Sequence, residues 1–212
     1  MAVLDVQEQE QVEAFKAWWK SNGKWLLIVL AVFAIGFAAT QGWKYYKTNL
    51  LTEASILYGE LEKQLVSNDP KRINDAGQAV IDKFGSTAYA PRAALIMAQV
   101  NMDNNDATRA KSQLEWVIQH AEEGGLQNVA RLKMASMLLD EKKYSEALKL
   151  LEEKHPESFT GLYADLKGDV LNAQGHIAEA RAAYQLALNK MDAESKYRNL
   201  VKMKLDALGD AK

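Results

Sequence analysis

The sequence predicts an all-α protein in which a single N-terminal transmembrane helix is followed by a solenoid of helical hairpins. Two observations predict this architecture. An uncharged apolar run of residues 25–43 lies near the N-terminus, and a pattern of small residues recurs three times in the chain that follows. Such a repeat is typical of stacked helix pairs, each of which buries its apolar face against its neighbours.

The composition fits a folded helical chain and excludes several classes of protein. The 212 residues include 48% hydrophobic and 25% charged residues, with only three prolines. The 26 basic and 28 acidic residues are nearly balanced, which argues against nucleic-acid binding. The chain has no cysteine, which excludes disulfides, thiol nucleophiles and cysteine-based metal sites.

The first element is a predicted transmembrane helix over residues 24–44. Its 19 uncharged residues would rise about 28 Å as a helix, close to the thickness of the hydrocarbon core of a bilayer. Trp25 and Trp43 end the run and Tyr45 follows, as expected for rings at the headgroup level. A cleaved signal peptide is the alternative, but the preceding residues carry Asp5 and three glutamates, which favours a retained anchor.

The charges that flank the span do not orient it. Three lysines precede it and three follow within twenty residues: Lys16, Lys20, Lys24, Lys44, Lys47 and Lys63. The positive-inside rule therefore gives no preference.

Residues 1–23 are predicted to form a short amphipathic segment before the span. Val12, Phe15, Trp18 and Trp19 recur at helical spacing, so residues 5–22 should form a helix at the membrane interface. Residues 22 and 23 are Asn-Gly, which predicts a stop and a turn before the membrane helix begins. The segment either anchors the chain at the interface or binds a partner.

Small residues within the span predict packing against another membrane helix. Ala34, Ala38 and Gly42 form one stripe, and Gly36 and Thr40 are expected on a nearby one. Small side chains four residues apart allow two helix backbones to approach closely.

Three repeat units follow the span. Each unit begins with a small residue, which is followed twelve residues later by alanine and sixteen residues later by a large side chain. The three sets are Ala98, Ala110 and Leu114; Ala135, Ala147 and Leu151; and Gly168, Ala180 and Tyr184. Successive units are spaced by 37 and then 33 residues. Offset 19 holds Val117, Lys154 and Ala187. This pattern predicts two antiparallel helices in each unit, with the small pair at their contact.

Polar turns and flanking helices complete the predicted domain, residues 45–212. The turns at 103–106, 140–143 and 174–176 should supply capping or left-handed residues. One helix should continue from the membrane over residues 44–66, and a second should start at Asp69-Pro70. Tyr197, Leu200, Val201, Leu205 and Leu208 mark a closing helix.

Catalytic motifs are absent from the sequence. His120, His155 and His176 lack partners at metal-ligand spacing, and there is no phosphate loop or nucleophile elbow. Gly124-Gly125 is interpreted as a helix C-cap. We therefore expect no enzyme activity, no cofactor, no metal and no small-molecule substrate.

A concave face built from the first helix of each unit is the predicted binding surface. The candidate residues for an extended peptide or a partner helix are Arg92, Gln99, Met102, Leu132, Ser136, Leu139, Asp165, Asp169 and Asn172.

The third unit, residues 164–187, closely resembles a tetratricopeptide repeat, and the first is looser because Asn101 stands where a large apolar residue is usual. The layout as a whole resembles the YfgM family of ancillary subunits of the bacterial SecYEG translocon. The similar segments are Gln11–Lys16 with Trp18-Trp19 and Asn22–Lys24, the unit around Gly168 and Gly175, and the ending Val201–Asp206.

The resemblance implies a single-pass protein of the bacterial inner membrane, with a cytoplasmic N-terminus and periplasmic repeats. It also implies association with SecYEG and with a periplasmic chaperone like PpiD, and a link between translocation and chaperones. An RcsB-like regulator is a further implied partner of the cytoplasmic segment. Two other functions stay open: a membrane-tethered scaffold for envelope assembly or division, and a regulator of a stress response.

Overall fold

The computed structural model describes residues 6–209 of the chain, and the side chains of residues 8–209. Over this range the chain forms nine α-helices and one short 3₁₀ turn. The helices are α1 (Val6–Leu65), α2 (Pro70–Phe84), α3 (Tyr89–Asp103), α4 (Ala107–His120), α5 (Gly124–Asp140), α6 (Tyr144–Leu151), α7 (Thr160–Ala173), α8 (Ile177–Lys190) and α9 (Lys196–Ala207), with the 3₁₀ turn at Glu157–Phe159. The chain divides into two compact units, Met1–Thr52 and Glu53–Lys212. The all-α prediction is confirmed.

In the first unit, the helix α1 contains the apolar run. The helical segment Glu8–Leu65 includes an 18-residue window of mean hydropathy 2.0, none of which is buried inside the protein. A helix of this length and hydropathy can cross a bilayer. Trp25 and Trp43 are exposed at the two ends of the run.

The predicted break at residues 22 and 23 is wrong, because α1 runs through both of them. The Asn22 side chain donates to the carbonyl of Trp18 at 3.2 Å, so it stays on the helix instead of ending it. Gly23 lies beneath the Trp19 indole, whose atoms lie 3.2 Å from where a Cβ would be. The glycine thus makes room for a ring inside a continuous helix.

In the second unit, successive helices pack as antiparallel pairs. The pairs α3/α4, α5/α6 and α7/α8 correspond to the three predicted repeats. Before them, Leu61 near the end of α1 shares a core cluster with Ile73 and Val80 of α2. Every predicted small residue at offsets 0 and 12 is buried, and so are the large residues Leu114, Leu151 and Tyr184. The register read from the sequence is therefore the packing register.

Two local predictions in this unit need correction. Offset 19 is buried at Val117 and Ala187, but Lys154 is exposed because α6 ends at Leu151. The glycines at 124 and 125 begin α5, whereas α4 has already ended at His120. Two adjacent glycines mark a boundary, but the sequence does not say which of the two helices they belong to.

The helix boundaries follow from local chemistry. Asp69 caps α2 by accepting from the backbone N–H groups of Lys71 and Arg72, and Pro70 is the first helical residue, as predicted. Asn105, Lys142 and Gly175 adopt left-handed φ angles of 61°, 59° and 82° at the turns within the three units. Each repeat turn thus ends its first helix in the same way.

Candidate functional site

Four of the predicted groove residues line one depression on the surface between α5 and α7. Its volume is about 290 Å³ and it brings together Leu132, Ser136, Asp165 and Asp169. Lys133, Leu162, Leu166 and Tyr197 complete the lining. We call this surface the α5–α7 groove.

The apolar part of the α5–α7 groove consists of leucines. Leu132 and Leu166 are half-buried, and Leu162 leaves 39% of its surface exposed. Exposed leucine beside a polar rim is the chemistry that receives an apolar side chain of a partner polypeptide.

The carboxylates of the groove are held by the closing helix α9. Asp165 is only 2% exposed, and Lys204 of α9 donates to both of its oxygens at 3.0 and 2.9 Å. Lys204 also donates to Asp169 at 2.7 Å, and Tyr197 donates to Asp165 at 2.6 Å. The two carboxylates therefore attach α9 to α7 and are not free to bind a partner.

Three pKa values report on this cluster. Burial raises the pKa of Tyr184 and Tyr197 well above their ordinary value, and the hydrogen bonds that they donate to Asp169 and Asp165 raise it further. Burial alone would lower the pKa of Lys204, but its hydrogen bonds to Asp169 and Asp165 outweigh that effect and raise it. The lysine stays charged and both phenols stay protonated near neutral pH.

The candidates on α3 are engaged with α5. Arg92 forms an ion pair with Glu123, the N-cap of α5, at 2.9 Å, and Lys133 donates to the side-chain amide oxygen Oε1 of Gln99 at 2.6 Å. Lys133 of α5 donates to α3, and Lys204 of α9 donates to α7, so each lysine contacts the first helix of the preceding unit. These residues bridge neighbouring units.

The remaining three candidates lie elsewhere. Met102 lines a separate depression of about 230 Å³ together with Met137 and Glu141. Leu139 packs against a buried core cluster, and Asn172 is exposed in the last turn of α7. The nine candidates therefore do not form one site.

Sequence reasoning missed Lys133, Leu162, Leu166 and Tyr197. Leu162 and Leu166 lie on the same helical stripe as Asp165 and Asp169, so helical spacing could have found them. Tyr197 gave no such signal, because it comes from α9, which was predicted only to close the stack.

The candidate packing residues of the span are exposed in the first unit. Ala34, Ala38 and Gly42 lie four residues apart along α1, and a Cβ at Gly36 or Gly42 would meet nothing within 4 Å. The prediction of a nearby second stripe is wrong, since Gly36 and Thr40 lie about 160° around the helix from Ala38. The Thr40 hydroxyl donates to the carbonyl of Phe37 at 2.8 Å.

Among residues 6–209, no three His, Cys, Asp or Glu side chains lie close enough together to hold a metal ion.

Comparisons with known proteins match this architecture. The family described as a tetratricopeptide repeat-like domain matches residues 16–210. A protein of Neisseria gonorrhoeae named ancillary SecYEG translocon subunit is 30% identical over 207 residues, which are 96% of this chain and 98% of the relative. No solved structure shows significant similarity to the chain.

Relatives of the same name occur in other bacteria. The protein of Escherichia coli is 28% identical over 95% of this chain and 96% of its own length. The protein of Haemophilus influenzae is 26% identical over 96% of this chain and 98% of its own length. The chain belongs to this family of tetratricopeptide repeat-like proteins, and its relatives in Neisseria gonorrhoeae and Escherichia coli are named ancillary SecYEG translocon subunits.

Proposed function

We propose that the protein is a non-enzymatic accessory subunit of the SecYEG translocon, anchored in the bacterial inner membrane. The observation that carries the proposal is the similarity to the Neisseria gonorrhoeae translocon subunit along 96% of the chain, at 30% identity. The apolar helix provides a means of attachment to the membrane. Stacked helix pairs provide surface for protein binding.

The proposed topology places residues 1–23 in the cytoplasm, residues 24–44 in the bilayer and residues 45–212 in the periplasm. Trp25 and Trp43 are 18 residues apart, which corresponds to about 27 Å of helix. Protease treatment of intact and opened spheroplasts tests this arrangement. Digestion of the repeats from the cytoplasmic side alone would contradict it.

The proposed role of the repeats is to bind a periplasmic chaperone such as PpiD and so link translocation to chaperones. The α5–α7 groove supports this role, because Leu162 is exposed beside half-buried Leu132 and Leu166. The cytoplasmic segment is the proposed contact for an RcsB-like regulator. Membrane lipid surrounds the span.

The test is affinity purification of the tagged full-length protein from native membranes in mild detergent, followed by mass spectrometry. We expect enrichment of SecY and of a periplasmic chaperone above an unrelated single-pass protein. Recovery of envelope-assembly or division proteins instead would contradict the translocon assignment and favour the envelope scaffold.

A paired substitution tests the groove. Leu162→Glu introduces a charge into the α5–α7 groove, and Leu186→Glu introduces the same charge on α8, where Leu186 is 45% exposed and outside the groove. We expect Leu162→Glu to reduce chaperone recovery while SecY is retained. Equal recovery from both variants would exclude the groove as the chaperone contact.

A further inference from the structure

A second depression lies between α2 and α4, and all of its lining side chains are polar. Its volume is about 600 Å³. The helix α2 contributes Lys71, Asn74 and Asp75, and α4 contributes Arg109, Ser112 and Gln113. These are the second helices of their pairs, so this surface is separate from the α5–α7 groove.

The first repeat differs from the other two at a buried position that contacts the lining of this depression. Offset 3 of the repeat holds buried Leu138 and Leu171 in the second and third units, but Asn101 in the first. Asn101 is 2% exposed and donates to Asn74 and to Gln113, both at 2.8 Å. Asn74 in turn donates to Asn101 at 2.9 Å.

This amide network fixes two of the lining side chains. Gln113 donates to Asn74 at 3.2 Å, so the three amides form a closed set of hydrogen bonds between α2, α3 and α4. A fully paired buried network holds its members in one conformation. The network thereby presents the exposed edges of Asn74 and Gln113 at fixed positions in the depression.

Two cations with unused donors line the same depression. The Nε of Arg109 lies 3.4 Å from Asp106, the N-cap of α4. The two terminal nitrogens of Arg109 make no hydrogen bond with any residue that the structure describes. Lys71 is exposed and makes no ion pair within residues 6–209. Asp75 is the opposing charge, so cations outnumber anions two to one in the lining.

We propose that the depression between α2 and α4 binds a carboxylate of an acidic polypeptide segment. The terminal nitrogens of Arg109 bind the carboxylate as a fork, Lys71 pairs with it or with a neighbouring acid, and Ser112 and Gln113 donate to its oxygens. Arg109 and Lys71 are exposed, so a partner segment reaches them without any movement of the repeat. The site is independent of the proposed chaperone contact.

The test uses the full-length protein in mild detergent and two peptides labelled with an uncharged dye. One is tetra-aspartate with an amidated C-terminus, and the other is a glycine-serine peptide with a free C-terminus. Fluorescence anisotropy measures binding, which should weaken as salt increases. Binding of the first peptide supports the proposal, because its only carboxylates are acidic side chains. Binding of the second peptide alone would overturn it, because that peptide has no acidic side chain and its only carboxylate is the C-terminus. If neither peptide binds, the proposal is overturned.

Matched variants separate the site from general electrostatic attraction. Lys71→Glu with Arg109→Glu should weaken binding by about tenfold or more. Lys83→Glu with Lys149→Glu changes the net charge equally at exposed positions outside the depression and should bind as the unmodified protein does. Equal loss in both double variants would overturn the proposal.

A third variant places the repulsive charge in the site itself. Ser112→Asp leaves both cations in place and adds a carboxylate to the lining, and it should abolish binding. Circular dichroism melting of each variant shows that the fold is retained. Unchanged binding by Ser112→Asp would contradict the assigned location.

Discussion

At the scale of single residues, the turn within each repeat shows how three different side chains perform one task. Asn105, Lys142 and Gly175 all have positive φ angles, and the residue after each donates its N–H to a carbonyl five residues earlier, at 2.8, 2.8 and 2.9 Å. This is the Schellman arrangement, which satisfies carbonyls at the end of a helix. Glycine adopts it without strain, whereas lysine does not.

Lys142→Gly is therefore expected to stabilise the protein. It removes the crowding between Cβ and the carbonyl oxygen and should raise the free energy of unfolding by about 0.5–1 kcal/mol, after the added freedom of the unfolded chain is subtracted. Urea unfolding followed by circular dichroism measures the change. Gly175→Ala is the reciprocal variant and should lower stability, and a gain there would contradict the strain argument.

Gly168 shows the opposite use of glycine, as a close contact. A Cβ at this position would lie 2.5 Å from the Tyr184 ring, which is buried and cannot move aside freely. Gly168→Ala should cost about 1–3 kcal/mol, and Gly168→Leu should cost more.

The control for this prediction is Gly59→Ala, since a Cβ at Gly59 meets nothing within 4 Å in the interior of α1. It should gain up to about 0.5–1 kcal/mol from helix propensity. Thermal melting measures both variants. If the melting temperatures of Gly168→Ala and Gly59→Ala shift in the same direction, the assigned repeat contact is wrong.

Tyr184 and Lys204 predict how stability depends on pH. Both pKa values are raised above their ordinary values of 10.0 and 10.5, so the native state keeps protons that the unfolded chain releases. Their stabilising contribution is complete below those ordinary values and is lost as the pH rises toward the native pKa.

The free energy of unfolding should therefore fall from about pH 10 upward. Tyr184→Phe should reduce the number of protons released on unfolding by about one, and so make the slope of the free energy of unfolding against pH shallower. Urea unfolding at several alkaline pH values measures this slope. An unchanged slope would contradict the assigned protonation of the buried phenol.

At the scale of elements, the closing helix α9 is attached as much by charge as by apolar contact. Val201 is its buried apolar residue within the described chain, while Lys204 pairs with Asp165 and Asp169 at 2.9 and 2.7 Å. Leu200 and Met203 of the same helix are exposed. Leu205 also packs against the core cluster that contains Val201, so the polar cluster and the apolar contact together hold α9 at the end of the stack.

Lys204→Ala should destabilise the protein by about 2–4 kcal/mol, because it leaves the buried Asp165 carboxylate without its cation. Lys202→Ala on the same helix removes an exposed charge and should change stability little. Adding Asp165→Asn to Lys204→Ala should restore part of the loss. Denaturant unfolding of the four proteins checks this, and equal effects of the two lysine variants would contradict the ion-pair account.

The middle repeat departs from its neighbours at the level of its second helix. The helix α6 has 8 residues, whereas α4 and α8 each have 14. The sequence after Leu151 contains Pro156, which restricts the residue before it to extended conformations. Pro156 thus limits how far α6 could extend, and because α6 ends at Leu151, Lys154 lies outside the helix and the packing position at offset 19 is lost in this repeat.

At the scale of the whole molecule, the division into two compact units predicts that the repeats fold without the apolar helix. The unit Glu53–Lys212 contains the buried core residues of the repeats, including the end of α1 that packs with α2 and α3. Residues 53–212 expressed alone should be soluble without detergent, strongly helical, and cooperative in thermal unfolding. Aggregation or a non-cooperative melt, in a sample whose mass shows an intact fragment, would contradict this prediction.

The sequence by itself determined the apolar helix, the helix pairs, their register and the positive-φ turns, because each of these depends on local spacing and on the conformational preferences of single residues. Only the tertiary structure decided which polar groups meet. Asn101 is a departure from the repeat in the sequence, and its partners Asn74 and Gln113 are 27 and 12 residues away.

The same holds for the candidate groove. The pattern placed Asp165 and Asp169 on the correct helix face, but Lys204, which pairs with both of them, is 39 and 35 residues further along the chain. Periodicity reports which face of a helix is turned toward a neighbour, whereas the partner of a charged side chain depends on how distant helices pack. That packing assigns these two carboxylates to the attachment of α9 and leaves Leu162, beside half-buried Leu132 and Leu166, as the exposed apolar surface of the α5–α7 groove.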